Sequence, residues 1–203
     1  MEVWEAQRVR AIPDEDRSRA GLYGLLAHLL AAPPDAAVLA RLAGIRSDGT
    51  AIGEAFGALA TAAAACTTAG VTEEYEALFI GVTGGELKPY ASYYRTGFLN
   101  EKPLADLRRD LAAAGIARAD GVAEPEDHIA FLCEVMHGQI LGLYAEPAAL
   151  AAQRAFFDKH IEPWAARFFS DLEAATAAAF YRPVGTLGRS FLAIEREGFG
   201  YLD

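Results

Sequence analysis

Apolar residues along this chain recur at spacings of three and four rather than in strict alternation. Leu22, Leu25, Leu26, Leu29 and Leu30 mark one face of a helix that Pro33-Pro34 stops, with Asp14 placed to cap its start. Val38, Leu39 and Leu42 predict a short helix over about 35–43. After a Gly/Ser/Asp turn at 44–50, an alanine-rich helix is predicted over about 51–68, broken by Gly70. Thr72 with Glu73 and Glu74 opens another, with Tyr75, Leu78 and Phe79 on one side. A helix over about 103–114 follows, and then a long amphipathic run in which Ile129, Leu132, Cys133, Met136, Ile140 and Leu143 repeat at helical spacing. Pro147 is read as the start of the next helix. Phe157, Ile161, Trp164, Phe168 and Leu172 share one face of an element that Pro183 and Gly185 end, and 186–197 forms a last helix. Runs rich in valine, isoleucine and threonine, which favour strands, are nearly absent. The expectation is an all-α fold: a single globular domain of roughly eight to ten helices over 14–203, behind a loose lead-in at 1–13.

Two stretches break the periodicity. Residues 81–97 hold Gly84-Gly85, Pro89, Ser92 and the tyrosines Tyr90, Tyr93 and Tyr94. A loop of that length in a helical domain is usually functional, and its aromatics argue against disorder. The second is the polar loop 115–124, a plausible hinge, which leads into Glu124-Pro125-Glu126-Asp127-His128 at the head of the run Ile129–Tyr144. Proline fits the first turn of a helix, and carboxylates there favour the positive end of the dipole. Asp127, at the third helical position, could reach back to an unpaired N–H as in a capping box, or serve a ligand; the residues alone leave both open. The same dipole disfavours the charged form of His128.

Composition narrows the function classes. A chain of 203 residues with 53% hydrophobic content can bury one substantial core and is no disordered segment. Its net charge of −10 repels nucleic acid and anionic lipid and attracts a basic peptide, although acidity also serves solubility. Cys66 and Cys133 have no paired spacing for a disulfide framework or a zinc site and read as small buried hydrophobes. No segment has the length and apolarity of a membrane span, and Met1–Arg10 has no apolar core of a secretory signal, so the cytoplasm is the expected location. Glu134-Val-Met-His137 has the Glu-x-x-His spacing of di-metal bundles but stands alone, where such sites need two copies and two more glutamates. His28 and His160 lack partners at ligand spacing. Ser92 is in no nucleophile elbow. Asp127 and His128, as neighbours on a helix, diverge by roughly 100° and make no relay. Gly81-Val-Thr-Gly-Gly lacks the ending of a phosphate loop and a preceding strand. No metal, cofactor or catalytic residue is therefore expected.

Three blocks carry a resemblance to a known family. They are Tyr75-Glu-Ala-Leu78-Phe79-Ile-Gly81 with Lys88-Pro89-Tyr90-Ala-Ser92-Tyr93-Tyr94; Glu124-Pro-Glu126-Asp127-His128-Ile-Ala-Phe131; and Phe156-Phe157-Asp-Lys-His160-Ile-Glu-Pro-Trp164, continuing to Phe168. With Tyr23-Gly-Leu-Leu-Ala they resemble, in order and spacing, the TorD/DmsD-type chaperones that mature molybdenum-cofactor oxidoreductases. The chain departs from the family's pattern where Val82 replaces a usual proline, where Lys88 replaces the first of two prolines, and where tyrosine replaces the tryptophan of some relatives. The resemblance implies a TorD-like all-helical fold and a non-enzymatic role. Such a chaperone binds the twin-arginine leader of an exported oxidoreductase, its apo-form, or both, until cofactor is inserted. Relatives that serve non-exported subunits, or that have been proposed to bind GTP, supply the alternatives; a metal-dependent helical enzyme at Glu134 and His137 is a further rival. Asp127 with Glu124 or Glu126 would meet the arginines, and Leu78, Phe79, Pro89, Tyr90 and Tyr94 would line the apolar groove. His128 would bond leader backbone or fix the loop bearing Ser92, while Trp164 and His160 are read mainly as core and interface residues. The partner is the catalytic subunit of a molybdoenzyme, with its identity among N-oxide, sulfoxide or selenium-oxyanion reductases and formate dehydrogenases open. The assembly is a monomer or a domain-exchanged dimer.

Overall fold

The computed structural model describes residues 12–81, 84–118 and 123–201. Among these, ten α-helices follow one another: α1 Asp14–Ala31, α2 Ala36–Ala43, α3 Ala51–Ala65, α4 Thr68–Tyr75, α5 Ala91–Thr96, α6 Lys102–Ala113, α7 Ile129–Leu141, α8 Leu150–His160, α9 Ala165–Ala174 and α10 Tyr181–Gly200. The lead-in expected at 1–13 lies almost wholly outside the described residues, as does the middle of the hinge expected at 115–124.

Short polar side chains set several starts. Asp35 caps α2 by accepting from Val38 N–H (2.8 Å), Thr50 caps α3 through Gly53 N–H (3.0 Å), and Thr67 caps α4 through Gly70 N–H (3.1 Å). Thr67 thus moves the start of α4 ahead of the expected Thr72-Glu73-Glu74, and α3 ends at Ala65 rather than near Thr68. Asp14 sits inside the first turn of α1, with Pro13 at the cap position. Pro147 does not open α8; its ring packs where a side chain on Gly142 would stand. The aromatic block at 156–172 is two helices instead of one, because Pro163 has no N–H to continue the ladder. Phe157, Ile161, Trp164, Phe168 and Leu172 are nonetheless all buried. Pro183 and Gly185 end nothing: they lie early in α10, where a missing N–H is tolerated.

Helices α1 and α7 pack along each other, with Tyr23, Leu26 and Leu29 meeting a core that includes Leu132, Val135 and Met136. Helix α10 packs on α9 and α3. Glycine is required at this contact, since a Cβ on Gly188 would enter the Phe169 ring and one on Gly185 would stand 2.8 Å from the Phe169 carbonyl oxygen. Buried Glu195 of α10 accepts from Arg19 (2.7 and 2.9 Å) and from the Tyr23 hydroxyl (3.0 Å), which ties α1 to α10. The start of α10 and the turn that precedes it lean on remote carboxylates. Glu74 accepts the N–H groups of Ala179, Phe180 and Tyr181 (2.7–2.9 Å), and Glu86 accepts those of Thr176 and Ala177 (2.6 and 3.0 Å). No single helix among the described residues is long and apolar enough to cross a membrane.

Candidate functional site

The Glu-Pro-Glu-Asp-His block precedes α7 instead of opening it. His128 is the N-cap: its Nδ1 accepts the Ala130 N–H (3.1 Å). This side-chain bond requires an unprotonated Nδ1, and burial pushes the imidazole pKa down to about 4 despite the nearby Glu124 and Asp127. The preference for neutral histidine therefore comes from desolvation and capping.

Asp127, 1% exposed, is likewise not the third residue of a helix. Its Oδ2 accepts the N–H of Ser92 (2.7 Å), in the first turn of α5, so it caps a helix other than the one it precedes. Main-chain bonds complete the joint. Ala91 N–H donates to the Asp127 carbonyl and Ile129 N–H to that of Pro89, both at 2.9 Å, making an isolated antiparallel bridge between Tyr90 and His128. The Tyr90 and His128 rings meet edge to face with centroids 5.1 Å apart. Ser92 is fully buried and its Oγ accepts the Glu101 N–H (3.3 Å). Pro89, Tyr90, Ser92, Asp127 and His128, drawn from two irregular stretches, are therefore brought together, chiefly through backbone pairing.

The other candidates have partners of their own. Glu126 is buried and holds Arg108 (2.7 and 2.9 Å); burial pushes its carboxyl pKa up, but Arg108, a backbone hydrogen bond and the charge of Arg118 together outweigh it and the net shift is downward. Glu124 is the exposed carboxylate of the block and accepts from the Tyr90 hydroxyl. Leu78 is a fully buried core residue, and Phe79 packs edge-on against Tyr75 and Tyr181. Tyr94 leans on Trp164 and donates to Asp171 (2.9 Å). The expected groove of Leu78, Phe79 and Tyr94 beside Asp127 is therefore not formed. Helical periodicity identified the apolar face of Leu78 and Phe79, and both pack against the core.

The open feature at this joint is a cleft of about 470 Å³ between α1 and α7. Gly24, Ala27 and Ala31 supply one wall, Ala130 and Phe131 the other, and Tyr75, His28 and His128 lie along it. Glu124 and Glu134 bring two carboxylates to the same cleft. The small residues of α1 keep it hollow: a Cβ on Gly24 would stand 2.9 Å from His137 Nδ1, whose own place is fixed 2.8 Å from the Ala20 carbonyl. Glu134, Phe131 and Tyr75 were not selected as ligand-facing from the sequence, because nothing in it shows which flank of α7 the leucine-rich α1 leaves uncovered. Among the described residues no group of side chains could hold a metal ion, and His137 is engaged with backbone rather than paired with Glu134.

The chain belongs to the nitrate reductase delta subunit family, whose model matches residues 46–170. That span holds all three blocks quoted above. Chaperone protein TorD of Aliivibrio fischeri is 31% identical over 125 residues, 58% of this chain and 58% of that protein. The TorD protein of Vibrio cholerae is 31% identical over 122 residues, 57% and 56% of the two chains. The chain thus matches little more than half the length of these relatives. A proposed redox enzyme maturation protein from Archaeoglobus fulgidus, known from its crystal structure, shares the fold with a TM-score of 0.56, covering 86% of this chain and 93% of that one at 20% identity. The all-helical, TorD-like architecture expected from the sequence is borne out.

Proposed function

We propose that this chain is a molybdoenzyme maturation chaperone. It binds the twin-arginine leader of an oxidoreductase, alone or with the apo-enzyme, in the cytoplasm until cofactor is inserted, and makes no covalent change in its partner. The observation that carries this reading is the α1–α7 cleft, whose apolar walls stand beside Glu124 and Glu134. A leader presents two guanidinium groups followed by an apolar run. Planar carboxylates suit the first, with paired charge-assisted hydrogen bonds, and a hollow of alanine and aromatic surface suits the second. TorD relatives support the same role, being named chaperones.

The test is calorimetric titration with twin-arginine leader peptides against twin-lysine controls. The arginine peptide is expected to bind more tightly, and Glu124→Gln with Glu134→Gln to weaken it by about tenfold, the equivalent of two partly solvated ion pairs. Equal affinity for the two peptides, or indifference to the double substitution, defeats the assignment of this cleft. Absence of binding to any leader would favour service to a non-exported subunit.

A further inference from the structure

A second recess differs from the first in the sign of its charge. It lies where α5 meets α9, about 430 Å³ in volume, and is lined by Lys88, Arg95, Arg167, Tyr93 and Tyr94. Two carboxylates also border it, so three cations face two anions: Glu86 accepts backbone N–H groups ahead of α10, and Asp171 accepts the Tyr94 hydroxyl. Among the described residues Lys88, Arg95 and Arg167 form no ion pair with a carboxylate. Arg95 reaches only the Lys159 carbonyl, at 3.4 Å, and Arg167 lies over the Tyr94 ring, 5.8 Å from its centroid. In a chain with 28 acidic and 18 basic residues, three neighbouring cations without a carboxylate partner go against the composition.

Apolar surface adjoins them. Phe98 is 69% exposed, and Leu99 and Tyr93 are exposed beside it. Thr96 fixes this turn by bonding the Phe98 N–H and carbonyl at 3.2 and 3.3 Å, so Phe98 follows directly on the recess wall of Thr96 and Gly97. Large apolar side chains set beside free cations suit an interface core with a charged rim.

We propose that this face docks an acidic segment of a protein partner, one whose carboxylates meet Arg95, Arg167 and Lys88 while an adjacent apolar side chain covers Phe98 and Leu99. Charge complementarity selects that occupant. A basic leader is repelled here, and a second copy of this chain, carrying the same net charge of −10, is disfavoured by repulsion between the two. The proposal does not depend on leader binding at the α1–α7 cleft. Together the two sites would let the chain grip a basic segment and an acidic one at once.

The test uses the full chain and a short labelled peptide of glutamates around one central phenylalanine. The same peptide without phenylalanine, a lysine counterpart and inorganic pyrophosphate serve as competitors, read by fluorescence anisotropy. The glutamate–phenylalanine peptide is expected to bind and the lysine peptide not to. Arg95→Glu with Arg167→Glu should weaken it by at least about tenfold and raise no barrier to leader binding. Phe98→Ser, at an exposed position, should weaken it several-fold. Glu124→Gln with Glu134→Gln should leave it unchanged. Absence of binding, equal binding of both peptides, or indifference to the charge reversal overturns the proposal. So does displacement by pyrophosphate with no advantage from the phenylalanine, which would indicate a small-anion site.

Discussion

Replacing Asp127 by alanine separates scaffold from ligand contact. Its carboxylate is buried and accepts the N–H of fully buried Ser92 at 2.7 Å. Alanine would leave that donor without an acceptor in a place water does not reach, at a cost of about 1–3 kcal/mol. Loss of a helix cap costs about 1 kcal/mol, and since the two descriptions overlap, the total is about 2 kcal/mol. For a domain of this size each kcal/mol is worth about 2–4 °C, so Tm should fall by about 4–8 °C. Asp127→Asn keeps an acceptor oxygen and should lose less than half as much. Urea and thermal denaturation of both variants, followed by circular dichroism, measure this directly. Leader affinity of Asp127→Ala, taken well below its melting range, should stay within a few-fold of the parent. An unchanged Tm for the alanine variant, together with abolished leader binding, would refute the reasoning and return Asp127 to the ligand.

His128 supplies a pH signature. Its folded-state pKa of about 4 lies below the ordinary 6.5, so the unfolded chain binds the extra proton between those values and stability declines as pH falls through that window. His128→Asn, which preserves a capping oxygen and does not titrate, should flatten the decline measured by urea unfolding from pH 7 to pH 4. His160, also lowered by burial, leaves a residual slope, and an identical pH profile in parent and variant would contradict the buried neutral cap. Leu78→Ala should cost about 2–5 kcal/mol by opening a cavity, with leader binding lost only as the chain unfolds; a stable variant with no affinity for leader would place Leu78 at the binding surface after all. Leader affinity should fall as salt rises, because the exposed Glu124 is screened, and a flat titration from low to high salt would argue against an ionic contact.

Periodicity exposed most of the helices because their buried apolar residues recur at helical spacing, as Tyr23, Leu26, Leu29 and Leu30 do in α1. It failed where termination depends on one backbone group. Pro163 divides an apolar face that reads as continuous, and Pro183 lies within a helix it was expected to end. Pro89, Tyr90, Ser92, Asp127 and His128 could be chosen as a group from motif and composition, yet their roles could not. A carboxylate that caps a helix 35 positions away looks the same in sequence as one waiting for arginine. Glu134 has the opposite history. Its spacing to His137 suggested metal, whereas the structure sets it on the wall of the α1–α7 cleft. Which side of a helix stays open is decided by the neighbour that packs on it, and that information lies in another part of the chain.

The carboxylates that hold helix starts and a turn from a distance bear on how the molecule comes apart. Glu74 and Glu86 lie before the loop at 115–124 and the N–H groups they hold lie after it; Asp127 lies after it and holds Ser92 before it. Glu195 and Arg19 straddle the same loop. Each half of the chain thus completes one helix start of the other, α5 and α10. Neither half alone satisfies those N–H groups, so melting should proceed in one step rather than half by half. If two copies exchanged halves across the loop, every one of these bonds would have to be remade between them, and an exchanged pair would inherit the same interlocked ends.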